Sequence, residues 1–418
     1  MSPPAEHPRE IEPDEQKTEA FRQNVIFGMF VAMMIGMTLF EKIGVGPADA
    51  PVALIVPITF AALGAGILFA KPLIRFERML LYFAVVVTSA LSNVLFANTF
   101  SVTSLLLYFV LYLPLLVAFD TTEATYRRCL SFFSTAMLVF GAAVWAQHAI
   151  QFSIGWRYWP NLDKLVPPAY LIPQFVYMQP IRYGMDFMKP QGFVFLEVSF
   201  VSQFLAFALI IELLFLQRMW RAAFFAATLF ATFAGTGMLL VLAALPIIFT
   251  RTNTRTFVII LITAVIALFV AFQLHWFDLV ADRLNEFQRA GSSGSSRFID
   301  PLDRIRRALA DPTAIYSGVG AGQIERAMNI FWWPIVKATV EYGLIQGILF
   351  YVFFIVSLFD RAPSRQLSMI LILWFSFEGT LLTPLNPLMC VMLSTMFVLR
   401  DQRSTRRNGR PRDAAALA

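Results

Sequence analysis

The chain has 418 residues, 58% of them hydrophobic and only 14% charged, whereas a soluble domain carries about 45–50% apolar and about 25% charged residues. That excess, with 43 Phe, excludes an ordinary soluble domain and points to helices that form the body of the protein within a bilayer. The net charge of +6 does not argue for nucleic acid, because the arginines fall between apolar runs, where basic residues set membrane orientation.

Residues 1–21 are too polar, too acidic and too Pro-rich for a signal peptide and are expected as a disordered cytoplasmic leader. Transmembrane helices 1–5 are expected within 22–151, from apolar runs near 24–40, 51–70, 79–97, 102–119 and 130–150. A periplasmic loop, 152–192, follows. Helices 6–9 are expected within 193–273, from runs at 193–216, 222–235, 238–250 and 256–273. A larger periplasmic loop spans 274–332, and helices 10–12 are expected within 333–399, from runs at 333–358, 367–382 and 386–399. The basic tail, 400–418, is expected in the cytoplasm beside anionic lipid. The fold class is all-α: a polytopic transmembrane helix bundle of about twelve spans, with two long periplasmic loops, the second partly helical.

Two joints decide this count. Residues 221–251 would make a single helix of about 46 Å at about 1.5 Å per residue, too long for one span and short for two. Gly235-Thr236-Gly237 at its midpoint predicts a tight reversal. Thr383-Pro384-Leu385-Asn386-Pro387 likewise predicts a turn inside 367–399. With both reversals and an internal N-terminus, the segment 71–78, Arg127, Arg128, Arg218, Arg221, Arg251, Arg255, Arg361, Arg365 and the tail all fall on the cytoplasmic side. Cys129 and Cys390 lie at the start of one apolar run and inside another, which suggests neither a disulfide framework nor a metal cluster.

The two long loops carry basic residues against the orientation bias. Arg157, Lys164, Arg182 and Lys189 lie in the first; Arg283, Arg289, Arg297, Arg304, Arg306, Arg307 and Arg326 in the second. An anionic ligand at the outer leaflet would account for them, as would lipid headgroups. The second loop opens with an apolar helical face of Trp276, Phe277, Val280, Leu284 and Phe287. Its Gly318-Val-Gly-Ala-Gly322 run follows no predicted strand, so no dinucleotide fold is indicated, and backbone amides wrapping an anion stay open. Four charges sit where a membrane makes them costly: Glu197, Lys337, Glu341 four residues further on the same face, and Glu378. Glu212 is expected to reach toward Arg218. His148 and His275, near outer span ends, are each either a base or an interfacial histidine.

The order of these parts resembles the O-antigen ligase and polysaccharide polymerase superfamily, especially the exopolysaccharide polymerases. The residues that carry the resemblance are Gly192-Phe-Val-Phe-Leu-Glu197-Val-Ser199, Ala234-Gly-Thr-Gly237, Ser296-Arg297, Gly318-Val-Gly-Ala-Gly-Gln323 and Glu341-Tyr-Gly343, covering roughly 190–350. Three positions depart from the family: Val198 stands where Pro is usual, the Gly-Thr-Gly turn lacks the ligases' arginine, and Trp332 stands where ligases place a His. The resemblance implies an undecaprenyl-pyrophosphate-linked oligosaccharide as substrate, bound at the periplasmic face of a bacterial inner membrane, with both termini cytoplasmic. It implies Arg297, Glu197 and Glu341 as catalytic residues, and Arg182, Lys189, Lys337 and Gln323 as substrate-binding residues. Fixed guanidinium groups would stabilise the departing pyrophosphate, and a carboxylate would take the acceptor's proton. No cofactor, metal or nucleic acid is implied; membrane lipids, a chain-length regulator and export proteins are the implied partners. An O-antigen ligase-type transferase and a lipid-linked oligosaccharide flippase are the alternatives.

Overall fold

The computed structural model describes residues 13–46, 51–161, 164–172, 178–181, 185–250, 306, 317–324, 333–378 and 380–400. Among these, four helices are long and apolar enough to cross a membrane: α1 (Pro13–Leu39), α3 (Phe76–Phe96), α5 (Glu123–Ser153) and α6 (Val198–Ile211, continued by a π-helical turn to Leu216). Shorter apolar helices complete the bundle. They are α2 (Ile55–Phe69), α4 (Val102–Tyr112), α7 (Met219–Ala231), α8 (Gly235–Phe249), α10 (Leu344–Phe359), α11 (Arg365–Glu378) and α12 (Leu385–Cys390). The nine-residue α9 (Pro334–Tyr342) precedes α10.

Helix α3 shows most plainly what solvent these helices are built for. Leu80, Phe83, Val87, Leu91, Val94 and Leu95 are exposed at helical spacing, while Arg78, Ser89, Ser92 and Asn93 are buried. In water that arrangement would strand polar groups in the core and wet a continuous apolar stripe. Facing hydrocarbon it costs nothing on the outside and turns polar chemistry inward.

The structure agrees with the reading of 221–251 as a hairpin: α7 and α8 are separate helices joined through Thr232–Ala234. Gly237 is required by proximity, because a Cβ there would overlap the Ser202 carbonyl of α6. The run 367–399 is likewise broken between α11 and α12, but only Thr383 and Pro384 of the expected turn lie in the connection, Leu385–Pro387 being the first residues of α12. In the same way Gly235–Gly237 is the first turn of α8 and not the reversal itself. Three expectations are corrected. Helix α1 begins at Pro13, so residues 13–21, expected as disordered leader, extend the first helix. The run 333–358, read as one span, is two helices broken at Gly343, whose φ of +104° is open to glycine but strained for other residues. The ends of the runs 102–119 and 386–399 are extended rather than helical. There β4 (Val117–Thr121) lies between β3 (Pro72–Ile74), antiparallel with Pro72 opposite Phe119, and β5 (Phe397–Leu399), parallel with Phe119 opposite Phe397. Backbone ladders satisfy these peptide groups where helices have stopped. The runs 256–273 and 274–305 lie outside the described residues.

This small sheet marks one end of the bundle, and the basic residues expected on one side of the membrane gather there. Arg75 forks onto Asp360 with Nε–Oδ2 2.7 Å and Nη2–Oδ1 2.8 Å. Arg78 adds its Nε to Asp360 and gives Nη1 to the Leu115 and Thr395 carbonyls. Arg218 forks onto Glu212, as expected, at 3.1 and 2.7 Å, and Arg400 pairs with Glu19 and Asp120. At the opposite end, β1 (Gly44–Val45) and β2 (Val52–Ala53) form a short hairpin beside the loop that leads into α6. Between the ends, an aromatic cluster ties α4, α9, α10 and α11 together: Tyr108 stacks on Tyr342 at 4.7 Å, and Phe354 lies 4.2 Å from Phe375.

Candidate functional site

The end opposite the sheet is held by α5. Gln147 and Gln151 lie four apart, on one face, and both are buried. Gln147 accepts from Gly192 N at 2.7 Å and donates to Gln191 Oε1 at 2.7 Å. Gln151 accepts from Met188 N at 2.7 Å and donates to Met188 O. Two helical glutamines thus fix the backbone of 188–192, the segment that enters the Gly192–Ser199 motif.

That motif carries the backbone strain. Five non-glycine residues have positive φ among those described: Lys71, Phe193, Gln217, Phe233 and Arg361. Four of them end helices, where a left-handed residue is an ordinary stop. Phe193, at φ +67°, ends no helix. Strain of this kind costs about 1–3 kcal/mol and persists where surrounding structure imposes it. It aims the next residues into the bundle, so that Glu197 arrives as N-cap of α6, only 9% exposed. Its side chain does not cap the helix; Oε2 accepts instead from Gln179 Nε2 at 3.2 Å. The Gln179 carbonyl in turn accepts from Lys189 N at 2.8 Å, which brings Lys189, 8% exposed, beside this group.

A second carboxylate, absent from the sequence reading, faces the same place. Glu41 follows the end of α1 and is 4% exposed. Its Oε2 accepts from the Leu196 amide at 3.3 Å, one residue before Glu197, and its Oε1 is buried with no hydrogen-bond partner among the described residues. Burial pushes the Glu41 carboxyl up to about 8; the Leu196 amide lowers it, the Glu197 charge raises it, and Lys42 lowers it. Lys42 is itself buried, its carbonyl accepting from Ile172 N at 2.9 Å.

The other half of this end is built on α3 and α9. Lys337 and Glu341 sit one turn apart on α9, 2% and 0% exposed, with Nζ and Oε1 3.9 Å apart. They meet as an ion pair. Ser92 donates to the carbonyls of Ser317 and Tyr342, and Asn93 accepts from Ala321 N at 2.7 Å. The glycine run is thereby locked to the bundle: Val319 N and Gly320 N donate to the Val340 and Glu341 carbonyls at 2.9 and 3.0 Å, and Gln323 N to Gly320 O. These amides serve the fold, not an anion, so the run is a clasp on the end of α9. Gln323 is half-buried within it.

Of the residues singled out from sequence, the structure therefore places Glu197 and Lys189 in one group, and Lys337, Glu341 and Gln323 in another. Arg297, Arg182 and His275 lie outside the described residues, as does the side chain of Glu378. His148 turns toward α7, its Nε2 2.7 Å from the Ala231 carbonyl, and stacks on Phe152. Sequence reasoning missed Glu41, Gln147 and Asn93. The available signal was a Glu41-Lys42 pair directly after the first apolar run and two glutamines at helical spacing in the fifth. Among the described residues no cluster of three or more His, Cys, Asp or Glu could hold a metal, and both cysteines are free and buried.

Fold and site together define a helical protein of the membrane-spanning class, with Glu41, Glu197 and Glu341 buried at the end away from the arginine-rich sheet. Comparison of the chain with protein-family models, curated proteins and solved structures found no match.

Proposed function

We propose that the chain is a bacterial inner-membrane polysaccharide polymerase, joining undecaprenyl-pyrophosphate-linked oligosaccharide repeat units at the periplasmic face to make an exopolysaccharide or surface polysaccharide. The observation that carries this reading is Glu197. It is a buried carboxylate delivered by a strained loop to a helix N-terminus, within the motif that resembles the polymerases. In this reading Glu197 takes the proton of the acceptor hydroxyl, the basic residues of the two long loops, Arg297 first, stabilise the departing pyrophosphate, and Lys189 lies beside the same group. Glu341 is held by Lys337, which gives it a supporting part. The donor sugar arrives activated, so no nucleotide sugar is needed.

The test is polymer length in a deletion strain complemented with wild type, Glu197→Ala or Arg297→Ala at matched membrane levels. The reading expects single lipid-linked repeat units in the deletion strain, long polymer with wild type and none with either variant. Repeat units trapped on the cytoplasmic leaflet would instead identify a flippase. Full-length polymer left unattached to its final acceptor would identify a ligase.

A further inference from the structure

Glu41 has no part in the resemblance, yet it is the buried acid least accounted for by the fold. It is supplied by the end of α1, while Glu197 is supplied by the start of α6, 156 residues later (197 − 41). Both side chains are more than nine-tenths buried. Glu41 spends one oxygen on the Leu196 amide, which fixes it against the residue preceding Glu197, and leaves the other oxygen with no partner among the described residues. A purely structural acid would have both oxygens satisfied or be replaced by an amide. A carboxylate buried in a dry site near a second carboxylate is pushed toward its protonated form, and Glu41 is so placed. The charged groups acting on Glu41 are Glu197 and Lys42, and the buried Lys189 is tied by its backbone amide to the Gln179 carbonyl.

We propose that Glu41 and Glu197 form a paired-carboxylate proton site that exchanges its proton with a hydroxyl-bearing ligand at this end of the bundle. Glu197 is the partner that faces the hydroxyl, and Glu41 is a positioning residue that holds the site's proton against the Leu196 amide side of the loop. Taking the hydroxyl to be a sugar acceptor rests on the polymerase reading; the proton site does not. In that case the hydroxyl's O–H bond breaks and its proton goes to Glu197. The oxygen's electron pair forms the new bond to the anomeric carbon, and the pair of the old bond leaves with the pyrophosphate. The extra proton then passes to bulk water, which restores the singly protonated pair.

The experiment is an infrared titration of the purified full-length protein in detergent, for wild type, Glu41→Gln, Glu41→Asp and Glu197→Gln. Glutamine at position 41 keeps an acceptor for the Leu196 amide, so that variant retains the local fold. Wild type is expected to show a carboxylic-acid band that disappears with a midpoint near the value of about 8 set by burial. Glu41→Gln removes the band, Glu41→Asp retains it, and Glu197→Gln shifts the midpoint downward, because the neighbouring charge is gone. A wild-type protein without such a band, or a midpoint unmoved by Glu197→Gln, overturns the pair. The same proteins are then assayed for polymer formation against pH. Wild-type activity is expected to fall as pH rises through the band's midpoint, and Glu41→Gln to change that profile. If the infrared result holds but wild type makes no polymer at any pH, the proton site stands and the polymerase reading fails.

Discussion

Asp360 and Glu41 are both carboxylates that follow a helix end, one at each end of the bundle, and their surroundings treat them in opposite ways. Burial raises the Asp360 carboxyl, but hydrogen bonds from Arg75 and Arg78 and the charges of both outweigh it and hold the group below its ordinary value. Glu41 receives one backbone amide and no guanidinium in the hydrogen bonds that reach it, and it is pushed up to about 8. Asp360 collects four side-chain hydrogen bonds from two arginines, one of them to its carbonyl. The sheet end thus compensates its charges and gains rigidity. The opposite end leaves an acid under-compensated, an arrangement that costs stability and makes a group able to change protonation.

The comparison is broken most severely at the sheet end. Arg78→Ala leaves Asp360 short of a cation and orphans the Leu115 and Thr395 carbonyls. A loss of about 3–5 kcal/mol is expected, read as a fall in thermal stability in detergent and in membrane yield. Gly237→Ala comes next, because its Cβ would overlap the Ser202 carbonyl. It is expected to cost about 1–3 kcal/mol and to loosen α6 against α8, measurable by the same thermal assay.

The third effect is a pH dependence with a definite sign. Glu41 is raised from 4.5 to about 8, so between those values the folded state binds a proton that the unfolded state has lost. Its contribution to stability is therefore fully present below about 4.5 and lost as pH rises through about 8. Melting curves of wild type should decline across that window more steeply than those of Glu41→Gln; parallel curves would remove the contrast between the two ends. The smallest stability effect is expected at Glu197. Glu197→Gln is expected to forfeit roughly 1 kcal/mol, the net worth of a hydrogen bond, and under the proposed polymerase function to lower polymer formation by about 100-fold, the low end of what a positioned base contributes. A variant that melts like wild type and polymerises like wild type removes Glu197 from the chemistry.

Much of the fold was legible in particular residues. The breaks between α7 and α8 and between α11 and α12 fall within a few residues of where composition placed them, although Gly235–Gly237 opens α8 and Leu385–Pro387 opens α12 instead of forming the turns. The Glu212–Arg218 pair is where it was expected; glycine, proline and a charge in an apolar run act over one or two helical turns. The break at Gly343 was not legible. The run 333–358 is apolar enough for one helix, and glycine inside such a run is compatible with a continuous span. What ends α9 there is the clasp of residues 317–320 on the Val340 and Glu341 carbonyls together with Ser92 on Tyr342, groups distant in sequence. The strands at 117–121 and 397–399 were hidden for the same reason: each is helix-like alone and extended only beside the other.

The sequence by itself determined the solvent of this protein, the character of its helices and which charges would be expensive, because those depend on composition and period along a local stretch. Only the tertiary structure decided which expensive charges are compensated. Glu197 was conspicuous from its position, but Glu41 reads as an interfacial residue until α1 and α6 converge, and Arg78 reads as one more basic loop residue until it is found 1% exposed among three carbonyls and Asp360. A pair six residues apart, such as Glu212 and Arg218, can be read along the chain, but desolvation and pairing between distant segments are properties of neighbours in space that no local pattern encodes.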